Sequence, residues 1–181
     1  VDLKSDLVGE FPELQGIMGG YFAEAQGFDK EVCQSISEHY LPSGNDSRVP
    51  KNLYSITLSL SDKIDTLVGF FGLGLVPSGS KDPYALRRYT IGLVRLIIEN
   101  KIKIKLRSII NYSLTLYKEQ GFEFDITKVL KDLNYFILER VKNYSKEKNI
   151  RLDIIEGSIS SKDIDELYNG YKNAEVLNKN I

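Results

Sequence analysis

The chain has one cysteine, one methionine, one histidine and no tryptophan among its 181 residues. With Cys33 alone, no internal disulfide can form, which suits a reducing, cytoplasmic compartment. A single imidazole, His39, excludes any site that needs two, and zinc-ligand spacing is absent. Long apolar runs are missing too. The longest, Leu67 to Pro77, is broken by Gly69, Gly72 and Gly74 and is too short to span a bilayer. The N-terminus lacks a basic start followed by an apolar core, so no signal peptide is read there. The chain starts at Val1, and its first residues read as the middle of a helix, as expected of a piece of a longer protein. No membrane partner is expected.

What is present is the balance of a folded domain: 42% hydrophobic and 27% charged residues. The length suffices for one domain, or for one and part of a second. Net charge is −1, but unevenly spread. Residues 1–80 carry 5 Lys/Arg against 11 Asp/Glu, net −6, and residues 81–151 carry 16 against 8, net +8. Residues 152–181 carry 3 against 6, net −3. A basic middle segment suits either a polyanion such as RNA or a solvated lysine-rich helix surface.

The dominant apolar period is helical, which predicts an all-α chain. Leu14, Ile17, Met18, Tyr21 and Phe22 fall on one helical face, closed by Gly27. Asp29 offers an N-cap to a helix with Val32, Cys33 and Ile36. Residues 41–50 read as a loop. Leu53, Ile56, Leu60, Ile64, Leu67, Val68 and Phe71 predict one helix over about residues 51–71. Asp82-Pro83 reads as an N-cap followed by proline in the first turn of a helix burying Leu86, Leu93, Val94, Ile97 and Ile98. Residues 101–105 alternate Lys and Ile and are read as an extended linker. A helix then carries Leu106, Ile109, Ile110, Leu114 and Tyr117 and ends at Gly121. Asp125 or Thr127 opens the next, with Val129, Leu133, Ile137, Val141 and Tyr144. A short helix surrounds Ile154 and Ile155. Ser160 or Ser161 caps the last, with Ile164, Leu167, Tyr168 and Tyr171, and the Asn/Lys-rich end frays. A composition change near residues 99–105 sets the domains at 1–100 and 101–181.

Catalytic chemistry is sparse. Cys33 lies among apolar helix positions, where a packed thiol belongs. Gly69-x-x-Gly-x-Gly74 lacks the Gly-Lys-Ser/Thr of a phosphate loop and follows no strand, so those glycines serve close packing or a turn. Lys81, Arg87 and Arg88 sit at a helix N-terminus, itself a phosphate site, with Lys101, Lys103, Lys105 and Arg107 as a second cationic group. Arg87 and Arg88 could equally pair with Asp62, Asp65 or a glutamate.

Residues 1–100 resemble the HD superfamily of helical metal-dependent phosphohydrolases, whose metal is held by a His, a His-Asp dyad and a later Asp. Asp62 takes the place of the last ligand, His39 that of a helix-borne histidine, and Asp6 that of the dyad aspartate. Ser5 stands where the dyad histidine should be. Asp6, His39 and Asp62 are therefore vestigial positions, with no catalytic residue and no metal expected. Asp62, Lys63 and Asp65 could instead form a polar helix stripe.

Four runs carry a closer resemblance: 6–19, Glu38-His-Tyr-Leu-Pro42, Leu60 to Phe71, and Gly79-Ser-Lys-Asp-Pro-Tyr-Ala-Leu-Arg-Arg88. In this order and spacing they resemble the β subunit of the two-subunit bacterial glycyl-tRNA synthetase. The match is close to about residue 98 and looser beyond. The resemblance implies a degenerate HD-like helical domain followed by further helices of a second helical region. It implies an α2β2 ligase joining glycine to its tRNA, with ATP and Mg used at the α subunit and no cofactor in this segment. This chain would then be a non-catalytic tRNA-positioning module, with glycine tRNA and the α subunit as partners. The alternative is an HD-type metal-dependent nucleotide phosphohydrolase.

Overall fold

The structure, a computed structural model, describes residues 5–159 and 164–180, and over these the chain is all-α, as the apolar periods predict. The helices are α1 Asp6–Glu10, α2 Met18–Ala25, α3 Lys30–Glu38, α4 Leu53–Gly72, α5 Leu86–Glu99, α6 Leu106–Glu119, α7 Ile126–Glu147, α8 Leu152–Ser158 and α9 Leu167–Lys179. A 3₁₀ turn covers Pro12–Leu14. Among the described residues there is no strand, and Ser78 and Lys81 form an isolated bridge. No described helix is long and apolar enough to cross a membrane. The chain divides into two compact units, Val1–Asp62 and Lys63–Ile181.

The first unit buries small and polar groups where the apolar period pointed to large ones. Gly16 adopts φ 81 after the 3₁₀ turn, so the single helix expected through Leu14 breaks there. The buried face of α2 is Gly19, Gly20 and Ala23, while Ile17 and Tyr21, expected in the core, are exposed. The reason is a close approach. A Cβ on Gly20 would collide with the Ser37 hydroxyl of α3, so the two backbones meet where no side chain intervenes. Helix α3 starts after Asp29 as expected, although the Asp29 side chain makes no capping bond, and its fully buried members are Ser35 and Glu38. The first half of α4 likewise buries Ser55 and Ser59, with Leu53 exposed.

The second unit is built on large apolar contacts. Helix α5 is buried from Thr90 to Ile98 as well as at Leu86, and all five core positions expected for it are among these. A helix apolar all round must be covered all round. Helices α7 and α9 pack on it, and Leu133, Ile137, Val141, Leu167 and Ala174 are buried. One polar seam crosses this core. Arg95 Nε donates to Glu99 Oε1 at 2.7 Å, and the Tyr144 hydroxyl lies 3.5 Å from the same oxygen. The Tyr144 and Tyr171 rings meet at 5.7 Å, and burial pushes the Tyr171 hydroxyl up to about 12. Both tyrosines therefore stay neutral, which suits a buried seam.

Residues 102–105 form the expected linker, while Lys101 takes a left-handed φ of 57 in the turn that ends α5, and the lysines are exposed. Asp125 opens α7, its side chain accepting from the Lys128 amide at 3.0 Å. The end expected to fray is instead helical to Lys179, with Ala174 fully buried. The Ser160 and Ser161 caps, and Val1–Lys4, lie outside the described residues.

The α4 glycines do serve packing. A Cβ on Gly69 would meet the Tyr117 hydroxyl, and one on Gly72 would meet the Phe124 ring. Gly72→Val should therefore lower the urea midpoint, with a loss of about 1–3 kcal/mol from overpacking. Gly157→Ala on α8, where a Cβ meets nothing within 4 Å, should gain about 0.5–1 kcal/mol from helix propensity.

Candidate nucleic-acid interface

The positions named for a metal do not form a ligand set. Asp6 is exposed at the first residue of α1, with Ser5 at its N-cap. His39 ends α3. Its Nδ1 lies 2.6 Å from the Ile36 carbonyl, to which a protonated Nδ1 donates, and its ring rests 3.8 Å from that of Tyr40. Asp62 is half-buried on α4. Among the described residues no group of three or more His, Cys, Asp or Glu gathers where a metal ion could be held. The Cys33 thiol is half-buried and faces the Phe28 carbonyl at 3.5 Å.

Within the run Glu38–Pro42, the buried charge is Glu38, 3% exposed. Arg48 Nη1 donates to its Oε1 at 2.8 Å and Gln34 Nε2 at 3.2 Å, while the Ser59 hydroxyl donates to the Leu41 carbonyl. The run thus clamps the 41–52 loop onto α3 and α4. Burial pushes the Glu38 carboxyl up, but the polar groups around it, Ser55, Gln34 and Arg48, outweigh it and hold the group below its ordinary value.

The cationic residues form two groups, both in the second unit. In the first, Lys81 and Arg88 are exposed and Arg87 is half-buried. Helix α5 does not begin at Pro83. It begins at Leu86, because Ala85 takes a left-handed φ of 54 and Asp82 caps from outside. The Asp82 carboxylate accepts from the Leu86 amide at 2.8 Å and the Arg87 amide at 2.9 Å. The N–H groups read from sequence as a phosphate site are thus already taken. The Arg87 guanidinium donates to the Gly79 carbonyl, and among the described residues neither Arg87 nor Arg88 pairs with an acidic side chain. Asp65 faces the Tyr117 hydroxyl instead, at 3.3 Å.

The second group, Lys101, Lys103, Lys105 and Arg107, is exposed around the linker into α6. Here too a carboxylate meets the helix start, the Arg107 amide donating to Asp165 Oδ1 at 2.6 Å. The two groups are not brought together. They lie at opposite ends of the 14-residue α5, about 20 Å apart along its axis.

The family described as Glycyl-tRNA synthetase beta subunit matches residues 1–160. The chain belongs to this family. Membership extends well past residue 98, where the resemblance in sequence loosened. Proteins named glycine–tRNA ligase beta subunit align along most of the chain. The one from Cereibacter sphaeroides is 41% identical over 97% of this chain and 25% of its own length. That from Clostridioides difficile is 38% identical over 98% and 25%. That from Rickettsia canadensis is 48% identical over 80% and 21%. The chain thus spans about a quarter of the length of these glycyl-tRNA synthetase family relatives.

Sequence reasoning found the cations and read Asp82 as a cap, but it missed that Asp82 occupies the Leu86 and Arg87 amides, missed Asp165 at the start of α6, and missed Glu38 as the charge that shapes its own run. The Glu38 result carries a sign. A carboxyl lowered in the folded state adds stability that is complete above its ordinary value of 4.5 and is lost as pH falls through the lower folded value. Glu38→Gln should therefore cost about 1–3 kcal/mol at pH 7. In urea titrations the gap between variant and wild type should close as pH drops below 4.5.

Proposed function

We propose that this chain is a non-catalytic RNA-positioning part of a cytoplasmic glycine–tRNA ligase β subunit. It would bind glycine tRNA while the α subunit of an α2β2 enzyme performs the ATP- and Mg-dependent chemistry. The observation that carries this reading is the pair of cationic groups, largely exposed, at the two ends of α5, in a chain of a tRNA synthetase family. Lys81, Arg87 and Arg88 at one end, and Lys101, Lys103, Lys105 and Arg107 at the other, offer charge to a phosphate backbone. Arg suits bidentate contact, and Lys acts as a point charge. With the helix-start amides engaged by Asp82 and Asp165, side-chain cations do the binding. Affinity then comes mainly from counterion release, which falls with salt.

The test is binding of the chain to glycine tRNA by fluorescence anisotropy across a salt series. Affinity should fall steeply between low and physiological salt. Arg87→Glu/Arg88→Glu should weaken binding and flatten the salt slope by about one for each phosphate that is no longer neutralised. Salt-independent binding, or none, would remove this reading. Phosphate release from nucleotides with stoichiometric manganese or zinc would put the HD phosphohydrolase in its place.

A further inference from the structure

The run 73–88 has features that phosphate attraction alone does not use. Tyr84 is 45% exposed, yet its ring is not loose: it rests on Phe70 with centroids 4.5 Å apart and planes tilted by 39°. Leu73, Leu75 and Val76 of the same loop are exposed as well. Three sets of bonds fix the loop. Ser78 and Lys81 exchange backbone hydrogen bonds at 3.1 and 2.9 Å. The Arg87 guanidinium holds the Gly79 carbonyl, and the Asp82 carboxylate holds two α5 amides. Asp82, the one acidic residue between Lys81 and Arg88, is spent on the helix start. A supported aromatic face thus lies, in chain order, between Lys81 and Arg88, and among the described residues neither cation forms an ion pair with an acidic side chain.

We infer that Tyr84, supported by Phe70, is a stacking platform for an unpaired nucleotide of the bound RNA, with Lys81 and Arg88 on its flanking phosphates. The inference rests on the RNA-positioning reading above. Stacking on an aromatic ring needs a base freed from its helix, so the platform selects single-stranded over paired segments. The charge favours this occupant over an apolar protein partner, for which the cations would be a desolvation cost. A platform fixed before binding loses little conformational freedom when a base arrives. Tyr84 is here a positioning residue, since nothing places it at reacting atoms.

The experiment compares two RNA hairpins with the same stem, one blunt and one with an unpaired extension carrying a fluorescent aminopurine. The chain should prefer the extended hairpin by about tenfold and quench the aminopurine. Tyr84→Leu keeps apolar cover on Phe70 but removes the aromatic face, and should lose both the preference and the quenching. Tyr84→Phe should restore both. Arg88→Glu should weaken binding to both hairpins. If Tyr84→Leu keeps the preference, or if it impairs docking of the synthetase α subunit and leaves RNA binding intact, the platform is refuted while RNA positioning stands. If the unaltered chain binds neither hairpin nor glycine tRNA, the positioning reading fails and takes this inference with it.

Discussion

Helix α5 imposes the constraint on which the second unit depends. From Thr90 to Ile98 every residue is buried, so the helix presents no face to water and must be enclosed. The buried Arg95 pairs with Glu99 at the end of the helix, inside the cover that α7 and α9 provide. Only the ends reach the surface. That is why both cationic groups lie there, and why each must coexist with a helix end that has its own orphan amides to satisfy. Asp82 meets that demand at the start of α5, and Asp165 does so at the start of α6 just beyond its far end. The loop carrying Lys81 and Tyr84 is tied to the start of α5 because the first residues of that helix had to be capped from outside.

Much of this was legible in the residues. The second unit follows its apolar period: Leu93, Val94 and Ile97 of α5, and Leu133, Ile137 and Val141 of α7, are buried as their spacing requires. The first unit departs from its period because small residues decide its packing. Gly20 admits Ser37, and Ser55 and Ser59 take the inner face of α4 while Leu53 faces water. A periodicity that weighs side chains by apolarity reads such a face the wrong way round, since close backbone approach leaves no gap in the pattern to mark it. The start of α5 was misplaced for a related reason. Asp-Pro is a sound local signal for a helix start, but the left-handed Ala85 delays the helix and lets Asp82 cap it four residues later.

The candidate site divides in the same way. Residue type and spacing identified Lys81, Arg87, Arg88 and the lysines of the linker as exposed charge. They could not show that Arg87 would turn back onto Gly79, or that Arg107 would meet an aspartate 58 residues away, because these are facts of tertiary placement. The Glu38–Pro42 run teaches the converse. In sequence His39 reads as a vestigial metal position, yet its Nδ1 meets the Ile36 carbonyl of its own helix, while its neighbour Glu38 is drawn to Arg48.

The capped helix ends also bear on how a polyanion would be recognised here. A bare helix N-terminus offers several convergent amides to one phosphate, which fixes that phosphate in place. With Asp82 and Asp165 in those seats, the amides are engaged and the positive end of each dipole is answered. What remains for a phosphate is a set of long side chains, which hold charge at adjustable distance and impose little geometry. Such a surface would attract a polyanion without fixing its register. Register would then have to come from something with a shape, and in this loop the rigid feature beside the cations is the Tyr84 ring on Phe70. On the proposed reading, attraction by flexible cations and alignment by one aromatic face would be separate tasks, and the buried α5 would keep the two cationic groups at a set distance.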